Sequence, residues 1–160
     1  MQSIKMKNGM TLHVIPTDQF KTEALSITFF QPMEEEKNGK RALLPYVLRS
    51  GCQDYGSLKG INQELQRQYS AALSVYVRKK GHYQGVGYFL TYLDDRLACG
   101  GECISDACLE LLKNVLLHPI IKDGAFDADI VAQEKKNLKD LLESRMNDKI
   151  LYGLDKCNQH

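Results

Sequence analysis

The sequence predicts an α+β domain: an antiparallel sheet with helices packed on one face. Three observations carry this. Strand-type alternation recurs in pairs, at residues 11–15 with 25–29 and at 73–77 with 86–92. Helical spacing fills the gaps between those pairs, with Leu58, Ile61 and Leu65 in one stretch and Ile104, Cys108, Leu111, Leu112 and Val115 in another. Hydrophobic residues make up 43% and charged residues 26% of a 160-residue chain, an ordinary globular composition. Strand pairs interleaved with helix pairs suit layers rather than a parallel crossover fold. The chain is therefore read as a single domain over residues 1–160.

The first element is a hairpin. Asn8-Gly9 lies between Ile4–Met6 and Thr11–Ile15 and favours the positive φ angles of a tight two-residue turn. Leu12 and Val14 alternate with Thr11, His13 and Ile15, so both faces are expected to be partly covered. Leu25, Ile27 and Phe29 alternate with Ser26 and Thr28 in a half-buried strand that Pro32 ends. Residues 34–40 form a charged, solvated run. Leu43, Leu44, Val47 and Leu48 follow as an apolar helical stripe that stops near Gly51, and Pro45 either starts or kinks that helix. Ser57 can cap a second helix whose apolar face holds Leu58, Ile61, Leu65 and Tyr69.

A second hairpin turns at Lys80-Gly81. Gly85 and Gly87 in its return strand point to a bulge or a close backbone approach. The helix from Ile104 is ended by His118-Pro119. Asp127 caps a long last helix whose apolar stripe is Leu138, Leu141, Leu142, Met146 and Ile150.

Composition removes several function classes. Lys+Arg 21 against Asp+Glu 20 leaves a net charge of +1, which argues against nucleic acid as an obligate partner. No apolar run approaches the roughly 20 residues that span a bilayer, so no membrane partner is expected. The first residues, Met1 to Lys5, lack the apolar core of a signal peptide, and five cysteines then read as free thiols of a cytoplasmic protein.

Local motifs add little chemistry. Cys99, Cys103 and Cys108 follow Asp94 and Asp95, but no second cysteine or histidine pair completes a zinc site, and Gly100-Gly101 breaks the helix that would align the first two. These thiols are expected to be buried or incidental. His13, His82, His118 and His160 show no sequence relation to Cys52 or Cys99 that would activate a thiolate. Gly85-Val86-Gly87 is not a dinucleotide fingerprint. Tyr76, Tyr83, Tyr88 and Tyr92 beside Arg78, Lys79 and Lys80 could stack single-stranded nucleic acid, yet tyrosine is also a common strand residue.

Longer strings carry a resemblance. Residues 11–16 (TLHVIP), the 25–29 strand and residues 43–51 (LLPYVLRSG) are similar to the start of the insulinase-like (pitrilysin) zinc peptidase family. There a strand pair leads into a helix bearing H-x-x-E-H. Residues 65–75 (LQRQYSAALSV) resemble that family's passage from helix to sheet, and residues 133–138 (QEKKNL) its long helix.

The resemblance implies zinc held by two histidines four apart, a glutamate between them as general base, and a later glutamate as third ligand. Anchored on Gly51, the histidine positions fall at Ala42 and Tyr46 and the base at Pro45; anchored on Glu134, the third ligand falls at Leu141. None suits the metal: alanine and leucine have no donor atom, proline is no base, and a phenol with a pKa near 10 is a poor ligand. Shifting the later helix by one residue offers only Asp140.

The chain thus looks most like a non-catalytic bacterial branch of the family, of the type associated with elongation factor P modification. No catalytic, metal or cofactor-binding residue is assigned. The resemblance implies the N-terminal portion of a pitrilysin-like domain, cut from a longer two-domain chain. It also implies a zinc-bearing pitrilysin-family paralogue as partner and a peptide or protein substrate. The alternatives are an active zinc-dependent metalloendopeptidase with ligands elsewhere, and a stand-alone protein-interaction domain.

Overall fold

The structure is a computed structural model and describes residues 1–147 and Gly153. Its elements run β1 (Gln2–Lys5), β2 (Thr11–Val14), β3 (Thr22–Pro32), α1 (Glu35–Arg49), α2 (Leu58–Arg67), β4 (Ala72–Lys80), β5 (Tyr83–Leu93), α3 (Ile104–Leu117) and α4 (Ala128–Asn147). A single 3-10 turn, Asp95–Leu97, joins β5 to α3. The architecture is α+β. β3, β5 and β4 form an antiparallel sheet in that order, and β1 and β2 form a separate antiparallel ribbon.

The alternation along each strand decides which face of the sheet is dry. Leu25, Leu90 and Leu73 make one cross-strand row, and Ile27, Tyr88 and Val75 the next. This face meets Ile61 and Leu65 of α2 and Ile104, Cys108, Leu111, Leu112 and Val115 of α3. Ser57 caps α2 by accepting from the Gly60 amide, as its sequence position suggests. Asp127 caps α4: its backbone carbonyl accepts from Val131 and its carboxylate from the Asp129 amide. His118 is the C-terminal cap of α3.

Several expectations are corrected. The first hairpin turns through three residues, Lys7 to Gly9: Lys5 pairs with Thr11, the Met6 amide donates to the Met10 carbonyl, the Met6 carbonyl accepts from the Gly9 amide, and Gly9 takes φ 85°. Neither face of that ribbon is covered; Leu12 and Val14 are 39% and 38% exposed, because the ribbon does not join the main sheet. The charged run at 34–40 is largely exposed, as expected, and from Glu35 onward it forms the first turns of α1, with Glu35 and Glu36 at the positive end of the helix dipole. Pro45 does not start that helix. It lies inside it, buried, and its carbonyl accepts from the buried Tyr88 hydroxyl at 3.1 Å.

α2 ends at Arg67, so Tyr69 leaves the helical face and, with Ser70, adopts a left-handed conformation (φ 53° and 61°). The second hairpin turns on Gly81-His82, between paired Lys80 and Tyr83, with Gly81 at φ 57°. Gly87 marks a close approach and not a bulge: pairing is continuous through it, and a Cβ there would collide with the Ile27 carbonyl and sit 3.0 Å from the Tyr76 hydroxyl. On α4, Leu138 is half-buried while Leu141 and Leu142 are exposed. The Met146 side chain and Ile150 lie outside the described residues.

Candidate functional site

The helices that carry the expected zinc positions do meet. α1 packs on α4, and at their contact the Ser50 hydroxyl lies 3.0 Å from both the Tyr46 carbonyl and Glu134 Oε1. Ala42 and Tyr46 are four apart in α1 and half-buried, and Pro45 between them is buried. On α4, Leu141 is 39% exposed and Asp140 is exposed. A zinc ion needs three or four imidazole, thiolate or carboxylate donors. Of the six positions only Glu134 and Asp140 offer one, and Glu134 is engaged with Ser50. The donor set does not fit the metal. Among the described residues no group of three or more His, Cys, Asp and Glu is placed to hold a metal ion.

The cysteines separate into two environments. Cys52 and Cys108 are fully buried, and burial raises both thiols, Cys108 to about 11. At neutral pH such a thiol is protonated and a poor nucleophile. The backbone brings His118 beside Cys52, which the sequence did not indicate: Cys52 bridges to Pro119, and the Gln53 amide donates to the His118 carbonyl at 2.9 Å. Cys99 and Cys103 are exposed, not buried. The Cys103 thiol donates to Asp106 Oδ2 at 3.1 Å, which raises it further from the thiolate. Asp95, just before α3, accepts from the Ser105 amide at 2.9 Å and from its hydroxyl, which lowers its carboxyl.

Two surfaces remain. On the helical side, β3, α1 and α3 leave an apolar groove of about 720 Å³ between Ile27, Phe29, Leu44, Leu109 and Leu116, with Met10 of the ribbon at its mouth. On the other side the sheet is open. There Ser26, Thr28 and Phe30 of β3 stand beside Phe89, Gly87 and Gly85 of β5 and Ser74, Tyr76 and Arg78 of β4. The Tyr76 hydroxyl fills the space above Gly87 and bonds to Ser26 Oγ at 2.9 Å and to Thr28 Oγ1. The Arg78 guanidinium lies 4.3 Å from the Tyr76 ring centre, and Lys80 Nζ lies 5.8 Å from that of Phe30. Of the four tyrosines that alternation picked out, Tyr88 and Tyr92 face the core while Tyr76 and Tyr83 face this open side. The groove was not indicated by the sequence; of the open face the sequence indicated Tyr76, Tyr83, Arg78 and Lys80, and the parity of Phe30 and Phe89, opposite to that of the core residues, was the available signal for the rest.

Fold and site together define an α+β domain whose central helix pair lacks the donors of a metallopeptidase. Comparison with known proteins agrees with that class. The chain is 29% identical over 154 residues to a Bacillus subtilis (strain 168) protein described as "Probable inactive metalloprotease YmfF", covering 96% of this chain and 36% of that protein. A solved structure of a conserved protein from Enterococcus faecalis V583 superposes with a TM-score of 0.82 at 28% identity, over 94% of this chain and 36% of that one. The chain thus spans about a third of the length of each. No family model matches. No helix among the described residues is long and apolar enough to cross a membrane.

Proposed function

We propose that this chain is a non-catalytic metallopeptidase homologue of the pitrilysin type. In this reading it pairs in the cytoplasm with a zinc-bearing paralogue and supplies wall and peptide contacts to a shared chamber. The observation that carries the reading is the α1–α4 contact, kept by Ser50 and Glu134, with Ala42, Pro45 and Tyr46 where ligands and base would stand. The name of the Bacillus relative, an inactive metalloprotease, agrees with it.

The chain's own contribution to peptide binding is an edge strand. Among the described residues β4 pairs on one side with β5 and on the other with no strand, so its outer amides and carbonyls can take an extended peptide by strand addition. Elemental analysis of the purified protein, after zinc loading and dialysis, is expected to return essentially no zinc. Mixed with a zinc-bearing paralogue, the protein is expected to co-elute in size exclusion and to leave the paralogue's activity dependent on its presence. One zinc retained per chain, or peptidase activity of this chain alone, would overturn the reading.

A further inference from the structure

The open face of the sheet is selective in charge. Five cross-strand rows point to that side: Ala24, Thr91 and Ala72; Ser26, Phe89 and Ser74; Thr28, Gly87 and Tyr76; Phe30, Gly85 and Arg78; Pro32, Tyr83 and Lys80. None of these residues is acidic, and two are cationic. Both cations stand on β4, the edge strand, two residues apart and so about 6.7 Å from each other along the strand. Each charged head lies over an aromatic ring, Arg78 over Tyr76 and Lys80 over Phe30, and both residues are exposed. No ion pair among the described residues engages either head. Phe30, Tyr83 and Phe89, at 52%, 51% and 42% exposed, add apolar area beside them.

From this arrangement we infer that the partner for the open face is an acidic extended peptide, with carboxylates on alternate residues set against Arg78 and Lys80. The inference rests on the strand-addition reading of β4 above and names the chemistry of what is added. A strand laid along β4 projects every second side chain onto the open face, at the same period that separates the two cations. Acidic side chains at those positions meet unpaired positive charge, and the intervening ones turn to the other face. Two fixed cations on a pleated surface match carboxylates spaced by a peptide backbone better than the continuous charge of a nucleic acid, which needs many more phosphate contacts.

Strand addition and charge selection separate in one experiment. Fluorescence anisotropy of the whole protein is measured with short labelled peptides of alternating threonine and glutamate, threonine and glutamine, or threonine and lysine, and with a labelled uridine oligomer. The glutamate peptide is expected to bind about fivefold to tenfold tighter than the glutamine peptide at low salt, since each of two exposed ion pairs contributes modestly. Raised salt should shrink that gap. Arg78→Gln with Lys80→Gln should abolish the preference while leaving the glutamine peptide's affinity unchanged. Lys79→Gln, on the opposite face of the same strand, should leave the preference intact. Equal binding of all three peptides overturns the charge inference and leaves strand addition standing. Binding of no peptide overturns both. Tighter binding of the uridine oligomer, lost in the R78Q/K80Q protein, overturns the inference in favour of nucleic acid.

Discussion

The hydroxyl of Tyr88 ties the sheet to α1, and its removal has a predictable cost. Tyr88 is 2% exposed, in the middle of β5, and donates to the Pro45 carbonyl at 3.1 Å. Tyr88→Phe keeps the ring and removes one buried hydrogen bond. Because α1 continues to Arg49, helical geometry gives the same carbonyl an acceptor role within the helix, so it is not left wholly unpaired. The cost then sits near the middle of the usual range, about 1 kcal/mol. For a domain of this size that corresponds to a fall in Tm of about 2–4 °C. Tyr88→Ala removes the ring as well and should cost about 3–5 kcal/mol through the cavity it leaves. Urea denaturation and thermal melts of both variants check the ordering. A Y88F curve that superimposes on the parent, or one as displaced as Y88A, would refute the argument: the first because the bond contributes nothing, the second because the ring depends on it.

Gly87→Ala should be more damaging than its size suggests, losing upwards of about 2 kcal/mol, because the new Cβ meets the Ile27 backbone carbonyl and not a movable side chain; a melt close to the parent's would show that β3 and β5 can part there. Thiol labelling of the native protein with peptide mapping should modify Cys99 and Cys103 and spare Cys52 and Cys108 until the protein unfolds. At high pH the fold should weaken through two phenols: burial raises Tyr88 strongly, and burial beside the cross-strand Glu23 carboxylate raises Tyr92 to about 12. Their folded pKa values lie above the unfolded value near 10, so this contribution is complete below that pH and is lost as pH rises toward about 12; a flat urea midpoint across that window would contradict it. At low pH the sign reverses for Asp94, whose carboxyl Arg96 holds at about 2. Its contribution is present above the ordinary carboxylate pKa and is lost as pH falls from there through about 2, and Arg96→Gln, which keeps only the bond from the residue-96 amide, should weaken this acid dependence.

Much of the element order was legible because it depends on near neighbours. Ser57, His118-Pro119 and Asp127 bound their helices through local hydrogen bonds and proline sterics, which need no distant partner. The Gly81 turn and the parity of Leu73, Val75, Tyr88 and Leu90 were readable for the same reason. Pro45 misled as a helix start because a missing backbone donor is a local penalty, whereas the structure buries that residue inside α1 and gives its carbonyl the Tyr88 hydroxyl. The first hairpin misled in the opposite sense: alternation in Leu12 and Val14 signals a strand, but only the tertiary arrangement leaves that ribbon without a cover.

The candidate site divides along the same line. The residue types at positions 42, 45, 46 and 141 are set by the sequence, and their unsuitability for zinc follows from donor chemistry with no coordinates at all. That α1 lies on α4, that Cys52 and Cys108 are sealed while Cys99 and Cys103 are open, and that Arg78 and Lys80 share an uncovered face with Phe30 and Tyr76 were decided by tertiary structure. Side-chain chemistry belongs to the residue. Burial and juxtaposition belong to contacts between segments dozens of residues apart, such as Ser50 with Glu134 or Phe30 with Lys80, and no local pattern encodes them.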